Sequence, residues 1–482
     1  MSSRLVIRGA RAAAGLSVAL ALAVLLLVCV APAARAAAWG IVDERLETSA
    51  GVDRDALPGI LAGLGPGGLH AQWSRVIVSW ARLQPSATLS ASQDANGDGY
   101  ADAYVSELDA VVDGLRGQGI TVMLTGSEVP RWASDSRFWP ASGYDPGVAM
   151  RVDDGTVRQE YLAFSTFLAR HFAGRVRYFE CWNEPNLSRG IYPQWLGGKP
   201  VGPADYLKML KIFHQGVRAG ASGDVVIAGA TAPRGTNNST STAPQWFARY
   251  LKAAKATKWF DAYSHHPYTP GGSRHPAPDR LPNNPSRCVT LANLGALMSV
   301  FPSKPFYLTE FGYNTHASDL FGLEVSQADQ ARYLRQAFRM MASRPRVKVL
   351  MWYDVVDWCF DPADPPNGVY CGLIEKDGVT RKPAWYAFAR RNRLTLDAPS
   401  SVAAGTPLSI AGVLTTALGP LEGQTLRLEA RAVSAAPWTR LAATRTSAAG
   451  AYAFSARQAK DMQYRVVWDG VCESAARTVK TP

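Results

Sequence analysis

The chain has 482 residues, 47% of them hydrophobic and 19% charged, a composition that excludes a disordered or low-complexity protein. Its formal charge of +12 is spread along the chain rather than gathered into runs, which speaks against a nucleic-acid partner. Loose attraction to acidic glycans or anionic wall polymers remains compatible with it.

Arg4, Arg8 and Arg11 precede an apolar run from Leu16 to Val30, and small residues follow as far as Ala38. This order predicts a secretory signal peptide over residues 1–38 and a secreted, extracellular protein. The run is shorter than the ~20 residues of a membrane span, and Val28 before Cys29 is not the small residue of a lipoprotein site. No stable membrane anchor is expected. The leader holds four arginines and no acids, so the mature chain lies nearer +8. Its length of about 440 residues exceeds the roughly 250–300 that fill one core.

From Trp39 to Arg393, short β-branched or aromatic runs alternate with amphipathic stretches. The expected strands are Gly40–Asp43, Ser74–Trp80, Ile120–Thr125, Arg177–Trp182, Val225–Ala230, Ala262–His266, Pro305–Glu310 and Val349–Val355. Helices are expected at Tyr104–Gln118, Val157–Ala173, Ala204–Ala219, Leu291–Val300 and Gln327–Ala342. Eight such alternations predict an α/β (β/α)8 barrel over residues 39–393, with its site at the C-terminal ends of the strands. No Gly-rich phosphate loop follows the first strand, as a doubly wound sheet would require. Past Arg393, turn residues recur between short alternating stretches such as Thr425–Ala430 and Tyr464–Trp468, which predicts a small β-sandwich over residues 394–482.

Two glutamates end apolar strands: Glu184 in Trp182-Asn183-Glu184-Pro185 and Glu310 in Thr309-Glu310-Phe311-Gly312. On strands four and seven of a barrel they converge on one face, where a carboxyl pair can flank an anomeric carbon. At these motifs the barrel region, and not the C-terminal region, resembles the retaining hydrolases of glycoside hydrolase clan A, particularly families 39 and 5. The resemblance implies Glu184 as acid/base and Glu310 as nucleophile in a β-glycosidase acting on an oligo- or polysaccharide. It implies that Arg75 supports the nucleophile, that Asn183 contacts the sugar 2-hydroxyl, and that His266 and Tyr268 line the subsite. Trp352 would be the aromatic platform beneath the sugar. Arg75 has a second expected partner in Glu180, which alternates onto the same strand face as Trp182 and Glu184. His265 is expected to be structural. The C-terminal region loosely resembles bacterial Ig-like modules.

No cofactor is expected for the chemistry. Asp94, Asn96, Asp98 and Asp102, with Gly99 at position six, follow the spacing of a calcium-binding loop and offer a structural calcium site; the competing reading is an Asx-rich turn entering a helix. Cys359 and Cys371 bracket a Pro/Asp/Gly-rich loop and are the expected disulfide of an oxidising compartment. Two other readings keep the same barrel: a carbohydrate-binding cell-wall protein without turnover, and a transglycosylase. Oligomeric state is open at this level.

Overall fold

The computed structural model describes residues 37–46, 52–140, 143, 150–270, 276–317, 324–359, 368–390, 392–416, 418–433 and 437–482. The expected leader over residues 1–38, apart from its last two residues, lies outside them.

Eight parallel strands close into a barrel in chain order: β1 (Ala38–Val42), β2 (Trp73–Ser79), β3 (Thr121–Ser127), β4 (Tyr178–Cys181), β5 (Val225–Thr231), β6 (Ala262–His265), β7 (Phe306–Leu308) and β8 (Val347–Tyr353). Every one falls on an expected strand. The helices include α1 (Leu57–Leu64), α2 (Asp102–Gly117), α3 (Gly155–His171), α4 (Val201–Gly220), α5 (Pro244–Ala253), α6 (Gln327–Ala342) and α7 (Pro383–Ala389). Asp154 caps α3 by accepting from Thr156 and Val157 N–H, and Ser326 caps α6 by accepting from Asp329 N–H; each cap satisfies donors that a first turn leaves open. The expected helix at Leu291–Val300 shrinks to the turn Gly295–Met298. Helices α1, α5 and α7 were not visible in the periodicity. The first is short, with a proline and two glycines in eight residues, and each of the others opens on proline.

Strand alternation sorts side chains into two layers. Outward residues such as Val76, Val78, Leu124, Phe179, Leu308 and Leu350 pack beneath the helices. Inward, Trp73, Tyr178 and Tyr307 fill the lower barrel with ring centroids 4.6–5.9 Å apart. One step up, Arg75 stands across from Met123 in the β2–β3 register, and Thr125 from Glu180 in the β3–β4 register. An apolar plug therefore carries a polar layer directly below the mouth.

The C-terminal residues form two antiparallel sheets. One joins β11 (Arg393–Leu394), β12 (Pro407–Thr416), β13 (Gly419–Pro420) and β16 (Ala451–Arg457); the other joins β14 (Thr425–Ala432), β15 (Thr439–Arg445), β17 (Met462–Trp468), β18 (Cys472–Glu473) and β19 (Arg477–Val479). Leu426, Leu428 and Ala430 face inward while their neighbours are less covered, the pattern of a sandwich. The sandwich docks on the barrel: Trp468 meets Tyr386 of α7 at 5.1 Å, and Gly470 lies so close to α6 that a Cβ there would fall 2.2 Å from the Ala328 carbonyl. Residues 37–482 are accordingly one compact unit. No described helix is long and apolar enough to cross a membrane.

Candidate active site

The polar layer is organised around Arg75, which is fully buried. Its Nε donates to Glu180 Oε2 at 2.7 Å, its Nη1 to Glu310 Oε1 at 2.7 Å and its Nη2 to Asn183 Oδ1 at 2.8 Å. Both expected partners are thus held at once. Thr125 and Thr309 complete the shell of Glu180 at 2.8 and 3.0 Å. Burial pushes the Glu180 carboxyl up, but Arg75, helped by His266, outweighs burial and holds it below its ordinary value. Glu180 is a structural anion that fixes the guanidinium, as its alternation implied.

The backbone leaves regular strand geometry where β4 ends. Trp182 has φ +74° and Glu184 φ +42°, left-handed conformations that are costly for residues with a side chain and cluster at functional sites. This twist breaks the expected alternation: Trp182 turns into the outer layer and donates to Gly190 O at 2.8 Å. Glu184 is left at the mouth, its N–H bonded to Ala230 O at 3.1 Å.

Glu184, His266 and Glu310 each offer an atom within 4.8 Å of the others. His266 Nδ1 stands 3.1 Å from Glu184 Oε1 and 3.4 Å from Glu310 Oε2. Tyr268 OH donates to Glu310 Oε2 at 3.1 Å. Arg189 places its Nε 2.9 Å and its Nη2 2.5 Å from Glu184 Oε2. Burial raises the Glu184 carboxyl, but Arg189 and then His266 outweigh it and hold the group down at about 2. The trio is also the ligand cluster found among the described residues, yet Arg75 and Arg189 already bring a cation to each carboxylate. That neutralisation makes it a poor divalent-metal cage.

Glu184, Glu310, Asn183 and Tyr268 line a cavity of about 600 Å³ at the mouth, together with Glu44, Arg189, Arg234, Tyr353 and Trp358. Six of the seven expected residues converge here: Glu184, Glu310, Arg75, Asn183, His266 and Tyr268. Trp352 does not. Along β8 the inward positions are Val349, Met351 and Tyr353, so Trp352 lies one residue out of phase, fully buried in the outer layer with its Nε1 on Cys371 O at 2.9 Å. Tyr353 lines the cavity in its stead. His265 is structural: its ring bonds Thr231 Oγ1 and Val289 O at 2.9 and 3.0 Å, and burial lowers it to about 4.

The expected Cys359–Cys371 disulfide is corrected. Cys371 is a free, buried thiol whose Sγ donates to Asn314 Oδ1 at 3.1 Å. The cross-strand partner of Cys359 in the short hairpin of β9 (Trp358–Cys359) and β10 (Gly368–Val369) is Gly368. Cys371 follows the hairpin and packs behind Gly312; the Cys359 side chain lies outside the described residues.

In the 94–102 loop the expected ligands serve the turn. Asp94 accepts from the N–H groups of Gly97, Asp98 and Gly99, Asn96 from that of Asp98, Asp98 from that of Tyr100, and Asp102 from that of Ala95. Asp102 then opens α2. These bonds are those of an Asx-rich helix entry.

Sequence reasoning missed Arg189, Glu44 and Tyr353. Arg189 follows Glu184 by five residues in a loop without motif character. Only its cationic type next to an acid was a signal.

No family model and no curated protein matches the chain. Solved structures do. GH5_18 from Streptomyces cattleya in complex with GlcNAc aligns with TM-score 0.53 at 17% identity, over 74% of this chain and 80% of that one. A point variant of it in complex with Manβ1-4GlcNAc aligns with TM-score 0.50 at 16% identity, over 77% and 86%. The shared part is the barrel fold. The exo-β-1,4-mannosidase Op5Man5 from Opitutaceae bacterium strain TAV5 aligns at 12% identity with TM-score 0.48 over 73% of this chain, which spans only 58% of that protein's length.

Proposed function

We propose that the protein is a secreted retaining β-glycosidase acting on an oligo- or polysaccharide. The observation that carries this reading is the approach of Glu184 and Glu310 oxygens within 4.8 Å at the barrel mouth. A gap of that order fits a nucleophile and an acid/base acting on one anomeric carbon, whereas inversion needs ~6.5–9.5 Å for a water. The barrel likeness to sugar-bound enzymes, and the leader-like N-terminus, support the same reading.

In this mechanism Glu310, paired with Arg75 and oriented by Tyr268, attacks the anomeric carbon as the glycosidic bond breaks. Glu184 gives its proton to the leaving oxygen. A water then attacks the same carbon, Glu184 takes the water's proton, and the bond to Glu310 breaks. Asn183 is held through Oδ1 by Arg75, which leaves its Nδ2 to donate to the sugar 2-hydroxyl, a contact that strengthens toward the transition state.

The test is a set of 2-deoxy-2-fluoro β-glycosides carrying good leaving groups, with mass spectrometry of the digested protein. A fluorosugar ester on Glu310 is expected. A protein that binds these sugars yet never acquires the ester, in any member of the set, would not be a retaining glycosidase.

A further inference from the structure

The charge around the carboxylate pair is lopsided. The Glu310 side is closed by buried groups from the barrel interior. Beyond Glu184 the cleft runs on as a hollow of about 390 Å³ that shares Leu187, Arg234, Ser241 and Pro270 with the main cavity. Arg234 and Arg287 border this arm and no described aspartate or glutamate does. Both are exposed, and neither is ion-paired among the described residues. Arg189 stands at the junction, 66% of its side chain exposed although its head group is bound to Glu184.

Glu184 poses a chemical problem in this state. An acid must carry a proton, and a guanidinium on its oxygen keeps the proton off. A neutral sugar offers nothing to replace that ion pair. A carboxylate on the leaving-group side offers a guanidinium a bidentate partner of equal charge. An acid also stands on the leaving-group side of the bond it cleaves, so Arg189, Arg234 and Arg287 line the path of the leaving sugars.

Resting on the glycosidase reading, we propose that the site takes a uronate-bearing glycan whose carboxylates bind along Arg189, Arg234 and Arg287, the first of them drawing Arg189 off Glu184. Arg189 transfers its ion pair to the uronate, and Glu184 takes one proton from solvent. With Arg189 gone, Glu184 faces His266 from the end of β6, and Glu310 with its partners Arg75 and Tyr268. Burial and the like charge of Glu310 then favour its neutral form. Cleavage returns the proton to the leaving oxygen. Arg189 is a positioning residue in this scheme, since it acts through Glu184.

Calorimetry on the full chain, with S-linked tetrasaccharides that resist cleavage and leave the Glu310 charge in place, tests this with two matched pairs. These are β-1,4-tetramannuronate against β-1,4-mannotetraose, and β-1,4-tetraglucuronate against cellotetraose, near about pH 5 at low salt. At least one uronate is expected to bind about tenfold or more tighter than its neutral mate, ~1.4 kcal/mol. About one proton should be taken up per site, measured across buffers of different ionisation enthalpy. Arg234→Gln should reduce the preference, and Arg189→Gln should abolish the uptake. Arg189→Gln should also raise turnover of neutral glycosides at neutral pH, a gain that misfolding cannot produce. Equal binding of both members of each pair, uptake unchanged in Arg189→Gln, or lower neutral turnover in that variant would each overturn the proposal. Fluorosugar labelling of Glu310 without uronate preference would sink this inference alone. Uronate binding with uptake but no labelling would sink the glycosidase reading instead.

Discussion

Glu310 draws its partners from β2 and the segment after β6, whereas Glu184 takes one of its two from its own loop, five residues on. Arg75 reaches Glu310 from inside the barrel, with Glu180, Thr125 and Asn183 fixing the guanidinium. Arg189 reaches Glu184 from the solvent side on a mostly exposed chain. The first arrangement makes a charge that is costly to move; the second makes one that can move. A double displacement asks for this difference, because the nucleophile keeps one protonation state until it attacks while the acid changes state twice.

The largest test of the contrast is catalytic. Glu310→Ala should lower turnover of every substrate on the order of 10⁴-fold or more, ~5.4 kcal/mol of barrier. Glu184→Ala should do so only for sugars with poor leaving groups; for dinitrophenyl glycosides, whose departing phenolate needs no proton, it should spare kcat/KM, while kcat falls because the attacking water loses its base. A steady-state series over leaving-group pKa measures this. Equal losses for both variants across the series would erase the division of labour.

Stability should separate the two arginines next. Arg75→Leu leaves Glu180 buried without its cation, a change that costs about 3–5 kcal/mol, and thermal melts should fall accordingly. Arg189→Gln removes a largely exposed side chain, and Glu184 can answer by protonating, so a much smaller loss is expected at neutral pH. Comparable melting points for the two variants would mean that Arg75 is not the keystone its bonds imply.

The eight strands and the carboxylate pair were legible because both are written in local pattern: apolar runs of strand length, and glutamates at their ends. Arg75 and Asn183 were legible by motif resemblance. What escaped depended on the backbone leaving the pattern. Left-handed conformations at Trp182 and Glu184 end the alternation that would otherwise have put Trp182 on the sugar side. Arg189 was invisible because only the folding back of residues 185–192 brings it to Glu184. The Cys359–Cys371 pairing failed for a related reason, since bracketing a loop does not make two residues cross-strand neighbours, and Gly368 holds that place.

Acid should then expose the mobile pair. The Glu184 carboxyl sits at about 2 in the folded protein against an ordinary 4.5, so between those values the unfolded chain binds the additional proton. Its stabilising contribution is complete above about pH 4.5 and disappears as the pH falls toward 2. Wild type should therefore melt above Arg189→Gln near neutrality, and the gap should close on acidification. A gap that widens toward pH 2 would mean that Arg189 does not hold this carboxyl ionised.

The smallest expected effects distinguish the two aromatic residues that end β8. Tyr353 lines the cavity and its hydroxyl bonds Glu44, so Tyr353→Phe should change KM or kcat severalfold and leave the melting point nearly unmoved. Trp352 is buried and does not line the cavity. Trp352→Phe removes the donor to Cys371 O and leaves a buried void, at a cost of about 1–3 kcal/mol, with kinetics close to wild type. The side-chain period of a strand is two, so a one-residue error of phase exchanges a substrate contact for a core contact. A kinetic loss confined to the Trp352 variant would restore the phase that the sequence motif implied and would move the sugar platform back to the tryptophan.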